Sequence, residues 1–221
     1  MKKYAIIVAA GSGTRMGGEI PKQFQLLKGK PLLWHCVKAF TTVYDDVRII
    51  LVLPENHLEK GELMIEEFPL HSIRITAGGE TRFQSVKNGL RFVDDPSIVF
   101  VHDGVRCLLS KNLVHRCYQS AVETGTAIPA IVSKDSIRLL TEEGNEIFDR
   151  NKVMLVQTPQ TFQSELLLPA FGVDYRDEFT DEATVVEAHG TKISLVEGEE
   201  SNIKITRPVD LLIADKLLDE G

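Results

Sequence analysis

Runs of β-forming residues at 4–9, 47–53, 72–76, 98–102 and 126–132 alternate with longer stretches of helical period. Most of these runs are apolar throughout rather than alternating, as expected of strands covered on both faces in a parallel sheet. Helical period falls on residues 32–40, 55–68, 81–93 and 111–123. This order predicts an α/β fold, a Rossmann-like, doubly wound and mostly parallel sheet, which binds ligands beyond the carboxyl ends of its strands. A length of 221 residues suits one domain over 1–221.

The alternation stops after Val132. Residues 136–140 and 146–149 flank the turn-rich Glu143-Gly144-Asn145 and read as a hairpin with charged faces. Its apolar members, Ile137, Leu139, Ile147 and Phe148, have little core of their own to cover. A second copy of the chain is the simplest surface for them, so residues 133–155 are expected to protrude as a β-arm. Residues 208–218 have helical spacing with Pro208 in the first turn.

The formal charge is −7, which argues against a nucleic-acid-binding face and requires that any positive potential be gathered in a pocket. The three cysteines, Cys36, Cys107 and Cys117, are an odd number at unpatterned spacings, fitting neither a disulfide framework nor a thiolate zinc site. The apolar run 4–10 passes directly into a glycine-rich loop rather than a cleavage site. No stretch approaches the roughly 20 apolar residues of a membrane helix. A soluble, cytoplasmic protein without a membrane partner is therefore expected.

Chemistry concentrates where strands end. The first strand runs into Ala9-Ala10-Gly11-Ser12-Gly13-Thr14-Arg15, followed by Pro21-Lys22-Gln23. Small residues let backbone N–H groups form a nest around phosphate oxygens. Met16 stands where a dinucleotide fingerprint needs glycine, and Gly18 is followed by Glu19 rather than by the lysine of a P-loop. What remains is a glycine-rich loop carrying its own cations, Arg15 and Lys22, suited to a triphosphate; a tight turn with two solvated charges is the alternative.

Gly78-Gly79-Glu80-Thr81-Arg82-Phe83-Gln84-Ser85 joins a strand to a helix, and its glycines permit close contact with a flat base. An ordinary helix start capped by Thr81 reads equally well. In His102-Asp103-Gly104-Val105-Arg106, Asp103 ends a buried strand, either to hold Mg²⁺ beside substrate phosphates or to cap the next turn. His102 lacks a second ligand at metal-binding spacing and reads as a packed histidine. Lys204 interrupts a β-like apolar pattern in Asn202-Ile203-Lys204-Ile205-Thr206, so it either snorkels to solvent or meets an anion. Thr180-Asp181-Glu182 could be simply a helix cap.

Taken in order, these segments, with Asp135-Ser136, Asp149-Arg150-Asn151 and Gln157-Thr158-Pro159-Gln160, resemble the 2-C-methyl-D-erythritol 4-phosphate cytidylyltransferases of the non-mevalonate isoprenoid pathway over nearly the whole chain. The resemblance implies a nucleotidyltransferase-type fold and assigns roles. Arg15, Lys22, Lys204 and Asp103 would be catalytic, with Asp103 supporting Mg²⁺. Ala9, Ala10, Gly11, Ser12, Gly13, Gly78, Gly79, Arg82, Ser85 and Gly104 would hold CTP. Ser136, Arg150, Thr158, Thr180 and Arg106 would serve the sugar-alcohol phosphate, with Ser136 and Arg150 reaching it from a neighbouring subunit of a homodimer.

The family usually reads His-Asp-Ala-Ala-Arg-Pro. Here Gly104, Val105 and Cys107 replace the alanines and the proline, which predicts a more mobile loop. Ser136 stands where threonine is usual and keeps the hydroxyl. Rival readings are a ribitol 5-phosphate cytidylyltransferase, which shares the loop and the Asn-Ile-Lys pattern, and a non-catalytic nucleotide-binding module. Asp149-Arg150-Asn151 and Thr180-Asp181-Glu182-Ala183 favour methylerythritol phosphate. A dehydrogenase is disfavoured by Met16.

Overall fold

The structure is a computed structural model that describes residues 1–11, 21–69, 72–94 and 96–219. Strand β1 (Lys2–Val8) is followed by the short pair β2 (Leu26–Leu27) and β3 (Lys30–Pro31), then by helix α1 (Leu32–Val43) and β4 (Val47–Leu53). Next come α2 (Leu58–Ile65), β5 (Ile73–Ala77), α3 (Arg82–Leu90), β6 (Ser97–Asp103), α4 (Lys111–Thr124) and β7 (Thr126–Val132). The later half adds the hairpin β8 (Ile137–Thr141) and β9 (Gly144–Phe148), then β10 (Met154–Val156), β11 (Gln160–Gln163), α5 (Ser164–Ala170), α6 (Glu182–Ala188), β12 (Leu195–Glu197) and α7 (Pro208–Asp219).

Among the described residues the main sheet has the order β10-β7-β11-β6-β1-β4-β5, with β12 also on β7. The strands β6, β1, β4 and β5 are mutually parallel, whereas β11 runs against both β6 and β7 and β10 against β7. The sheet is thus mostly parallel, as the apolar runs predict, with an antiparallel side built by the later half. From β1 the chain moves outward through β4 and β5, then returns to β1's other side as β6. That reversal opens a crevice beyond the carboxyl ends of β1 and β6.

Two apolar layers sandwich the sheet. Leu32, Leu33, Cys36, Val37 and Phe40 of α1 recur at helical spacing and pack with Leu113, Val114 and Cys117 of α4 on one face. Phe83, Val86 and Leu90 of α3 join residues of α5 and α6 on the other. Helix starts follow local chemistry. Thr81 accepts from the Gln84 amide at 3.1 Å while the Gln84 side chain accepts from the Thr81 amide, closing a capping box. Gly125, at φ +92°, ends α4 in the left-handed conformation.

Three expectations are corrected. Residues 55–68 do not form one helix: Glu55–His57 is a single 3₁₀ turn, and α2 is confined to Leu58–Ile65. Residues 202–206 form no strand, because their backbone is pinned singly, as where the Ile205 amide donates to the Val105 carbonyl at 3.0 Å. The hairpin is present, but Thr141 pairs with Gly144, so its turn sits on Glu142-Glu143 and Asn145 lies within β9.

Candidate active site

The loops leaving the central strands are stitched together. The Gly104 amide donates to the Val8 carbonyl at 2.9 Å, Ala9 to Val52 at 2.8 Å and Gly78 to Leu53 at 2.8 Å. Val8 and Asp103 are register partners, so the glycine-rich loop leaves the sheet beside Asp103. Gln23, fully buried on a 3₁₀ turn, donates from its side chain to the Ala9 carbonyl at 2.9 Å and seats Lys22 against the loop. These loops bound a cavity of about 380 Å³ lined by Ala9–Gly11, Lys22, Gly79, Arg82, Ser85, Asp103 and Lys204 among others.

Asp103 is the electrostatic centre of this cavity. Its Oδ1 accepts from Arg82 Nη1 at 2.7 Å, and its Oδ2 meets Lys204 Nζ at 2.8 Å and Arg106 Nε at 3.6 Å. Burial alone would raise the Asp103 pKa, but the charges of Arg82, Lys204 and Arg106 outweigh it and hold the carboxyl well below the usual range. These cations favour the ionised carboxylate. Arg82 also bridges from Nη2 to Glu182 Oε2 at 2.9 Å. Lys204 is 44% exposed and spends one interaction on Asp103, leaving ammonium donors for an incoming phosphate.

Hydrogen bonds support Asp103 from beneath. His102 Nε2 lies 3.0 Å from the Arg106 carbonyl, to which it can only donate, so Nδ1 accepts from the Thr158 hydroxyl at 3.0 Å. The same hydroxyl oxygen accepts from the Asp103 amide at 3.1 Å. Arg106 Nη1 donates to the Asn202 carbonyl at 2.7 Å, and Asn202, fully buried, donates to the Thr158 carbonyl at 2.8 Å. The peptide bond between Thr158 and Pro159 is cis.

Most expected nucleotide contacts therefore converge. Ala9, Ala10, Gly11, Lys22, Gly79, Arg82, Ser85, Asp103 and Lys204 line one cavity, whereas Arg15, Ser12 and Gly13 lie outside the described residues. Gly78 abuts it: a Cβ there would meet the Ala10 Cβ at 2.3 Å. Ser85 lines the wall but also donates to the Thr81 carbonyl at 2.9 Å and accepts from the Gly79 amide at 3.1 Å, shaping the turn.

Three of the expected site residues are engaged by the protein itself. Gly104 is buried with its amide spent on Val8, and a Cβ would meet the Ala9 Cβ at 2.8 Å; it serves close packing, and the loop is held rather than loose. Thr158 and Arg106 line no part of the cavity. They brace the end of β6 and the 202–205 segment. His102 is a packed histidine, as expected, and of the readings open for the 180–182 segment the helix cap is present, with Asp181 capping α6. Glu182 was missed because a glutamate in a helix's first turn carries no distinguishing signal.

Ser136, Arg150 and Thr180 are exposed and do not line this cavity. Arg150 Nη1 donates to the Lys134 carbonyl at 2.7 Å, and it lines a second, 780 Å³ groove beside β7 and β12. No group of three His, Cys, Asp or Glu side chains suited to a metal occurs among the described residues. No described helix is long and apolar enough to cross a membrane.

A family model described as 2-C-methyl-D-erythritol 4-phosphate cytidylyltransferase matches residues 4–220. The enzyme of that name from Bacteroides thetaiotaomicron is 45% identical, covering 99% of this chain and 100% of the relative. The crystal structure of the 4-diphosphocytidyl-2C-methyl-D-erythritol synthase from Anaerococcus prevotii superposes with a TM-score of 0.85 at 28% identity, covering 99% of this chain and 98% of that one. A bifunctional protein from Campylobacter jejuni matches with a TM-score of 0.82 at 32% identity, over 96% of this chain and 54% of the larger one.

Proposed function

Because the chain belongs to the 2-C-methyl-D-erythritol 4-phosphate cytidylyltransferase family, we propose that it joins CTP to 2-C-methyl-D-erythritol 4-phosphate, giving 4-diphosphocytidyl-2-C-methyl-D-erythritol and pyrophosphate for isoprenoid precursor synthesis. The observation that carries this reading is the gathering of Lys22, Arg82 and Lys204 around one strand-end cavity on a chain of net charge −7.

An oxygen of the sugar-alcohol phosphate attacks the α-phosphorus of CTP in line, forming the new P–O bond as the bond to the β-phosphate oxygen breaks. A phosphate monoester, with a second pKa near ~6, is already largely dianionic at neutral pH and requires no general base. The obstacle is repulsion between two polyanions, and the answer is positioning and neutralisation. Lys204, held by Asp103, faces the phosphate undergoing transfer, while Lys22, the loop amides and Arg15 bind the triphosphate.

The donor set suits Mg²⁺ brought in with a nucleotide. Among the described residues Asp103 and Glu80 are the carboxylates that line the cavity, and the Asp103 oxygen that accepts one hydrogen bond retains a lone pair, which fits an ion that takes one or two carboxylates plus substrate phosphates. When bound, it offsets charge on the pyrophosphate leaving group.

The sugar-alcohol phosphate completes its site across a homodimer. Ser136 and Arg150 lie at the base of the β8–β9 arm and do not line the cavity of their own chain, and Leu140 and Ile147 on the arm are 89% and 81% exposed. An arm laid against a second copy covers that apolar surface and brings both residues to the neighbouring subunit's cavity, with Thr180 contacting the same substrate.

The test is pyrophosphate release with CTP and Mg²⁺, comparing 2-C-methyl-D-erythritol 4-phosphate with ribitol 5-phosphate. Preference for the first by at least about tenfold in kcat/KM is expected. No release with either substrate, or a preference for ribitol 5-phosphate, overturns the assignment.

A further inference from the structure

Glu182 is 1% exposed, and burial raises its pKa against the opposing charge of Arg82. It does not line the cavity. A carboxylate so placed costs desolvation energy, and buried ion pairs contribute little net stability compared with apolar residues of the same volume. Its partners show what it secures. Arg82 opens α3 and is forked between two carboxylates, with Nη2 on Glu182 at 2.9 Å and Nη1 on Asp103 at 2.7 Å. Asp103 in turn holds Lys204 at 2.8 Å. Charges of alternating sign thus run Glu182, Arg82, Asp103, Lys204, each from a different segment of the chain.

The anchor itself is rigid. Asp181 caps α6, accepting from the Thr184 amide at 2.9 Å. Gln160 of β11 clamps the same turn from both ends of its side-chain amide, donating to Asp181 Oδ2 at 2.8 Å and accepting from the Ala183 amide at 2.8 Å. Glu182 is therefore fixed to the sheet, whereas Arg82, on a helix's first turn, has a long side chain free to swing into an open cavity unless it is held from behind.

We infer that Glu182 is a positioning residue for the transfer: by gripping the far side of Arg82 it fixes Asp103, and through Asp103 the Lys204 ammonium, where charge develops. The inference rests on the nucleotidyl transfer proposed above. Loss of the grip lets the guanidinium turn towards the triphosphate and shifts the partner that Lys204 leans on. Ground-state binding of the sugar-alcohol phosphate survives, while the geometry needed only at the transition state is lost.

The test is steady-state kinetics on the full chain for Glu182→Gln, which keeps shape but removes charge, and Arg82→Lys, which keeps charge but cannot bridge two carboxylates. Each is expected to lower kcat by about 10- to 100-fold, with KM for the sugar-alcohol phosphate within about twofold and circular dichroism unchanged. The double variant is expected to be no worse than the poorer single one, because both break one chain of contacts. A folded Glu182→Gln with kcat within twofold of the unaltered protein overturns the inference. So do losses that multiply in the double variant, or a defect confined to KM. If Glu182→Gln does not fold, Arg82→Lys decides alone: retained kcat refutes the role. An unaltered protein that releases no pyrophosphate refutes instead the reaction on which the inference rests.

Discussion

At the scale of the residue, Lys204 and His102 separate activity from stability. Lys204 is half-exposed and bound to Asp103, whose carboxyl its cationic neighbours hold well below the usual range, so its removal leaves the apolar core intact and takes a cation from the proposed site of charge transfer. Lys204→Ala is expected to lower turnover by about 10²–10³ at saturating substrates, the order seen for loss of one oxyanion donor, with the melting temperature nearly unchanged. Near-full turnover would remove Lys204 from the mechanism. His102 behaves oppositely. Burial disfavours its imidazolium, and despite hydrogen bonding to the Arg106 carbonyl its pKa is pushed down to about 4. An unfolded chain takes up this proton near pH ~6.5 and the folded one does not. Stability from His102 is therefore full above that pH and is lost progressively as pH falls towards 4. Between pH 7.5 and 5.5 the unaltered protein should lose about 1.4 kcal/mol more than a His102→Gln variant, as measured by urea denaturation. Equal losses would show that the histidine is not neutral in the fold.

At the scale of the element, what could be read from the sequence depended on how each segment is buried. The apolar runs that became β1, β4, β6 and β7 announce themselves because both faces of those strands are covered. Strand β11 does not: Gln160-Thr161-Phe162-Gln163 is polar by composition, yet its first three residues are buried, Gln160 because its side-chain amide finds partners at the start of α6 and Thr161 because its hydroxyl donates to the Pro159 carbonyl. Strands β10 and β12 are three residues each, too short to show a period, and are recruited by the edge of β7. Residues 202–206 show the reverse error, in that Ile203 and Ile205 alternate like a strand although the segment lies against Val105 as coil. In the candidate site, motif glycines and cations were legible because their chemistry is local. The inward roles of Thr158, Arg106 and Glu182 were not, since each is defined by partners 55, 96 and 100 residues away along the chain.

At the scale of the whole molecule, an acidic protein that handles two polyanions must keep its positive groups where solvent screening is weak and its like charges are separated. In the proposed reading the cavity meets the first need for CTP by placing Arg82 and Lys204 on buried carboxylates. The second substrate brings another dianion, and the cation assigned to it, Arg150, lies outside the cavity on the arm. A division of this kind makes affinity for one substrate depend on assembly and affinity for the other independent of it. Replacing Leu140 and Ile147, the most exposed apolar side chains of the arm, by aspartate should therefore yield a monomer in sedimentation while leaving the sheet untouched. That variant should bind CTP within about twofold of the unaltered protein but raise KM for the sugar-alcohol phosphate at least about tenfold, as expected on losing a charge-assisted hydrogen bond. Equal weakening for both substrates would place Arg150 in the nucleotide site. A monomeric variant with unchanged KM for the sugar-alcohol phosphate would show that each chain carries a complete active site, and the exposed arm would then require another partner.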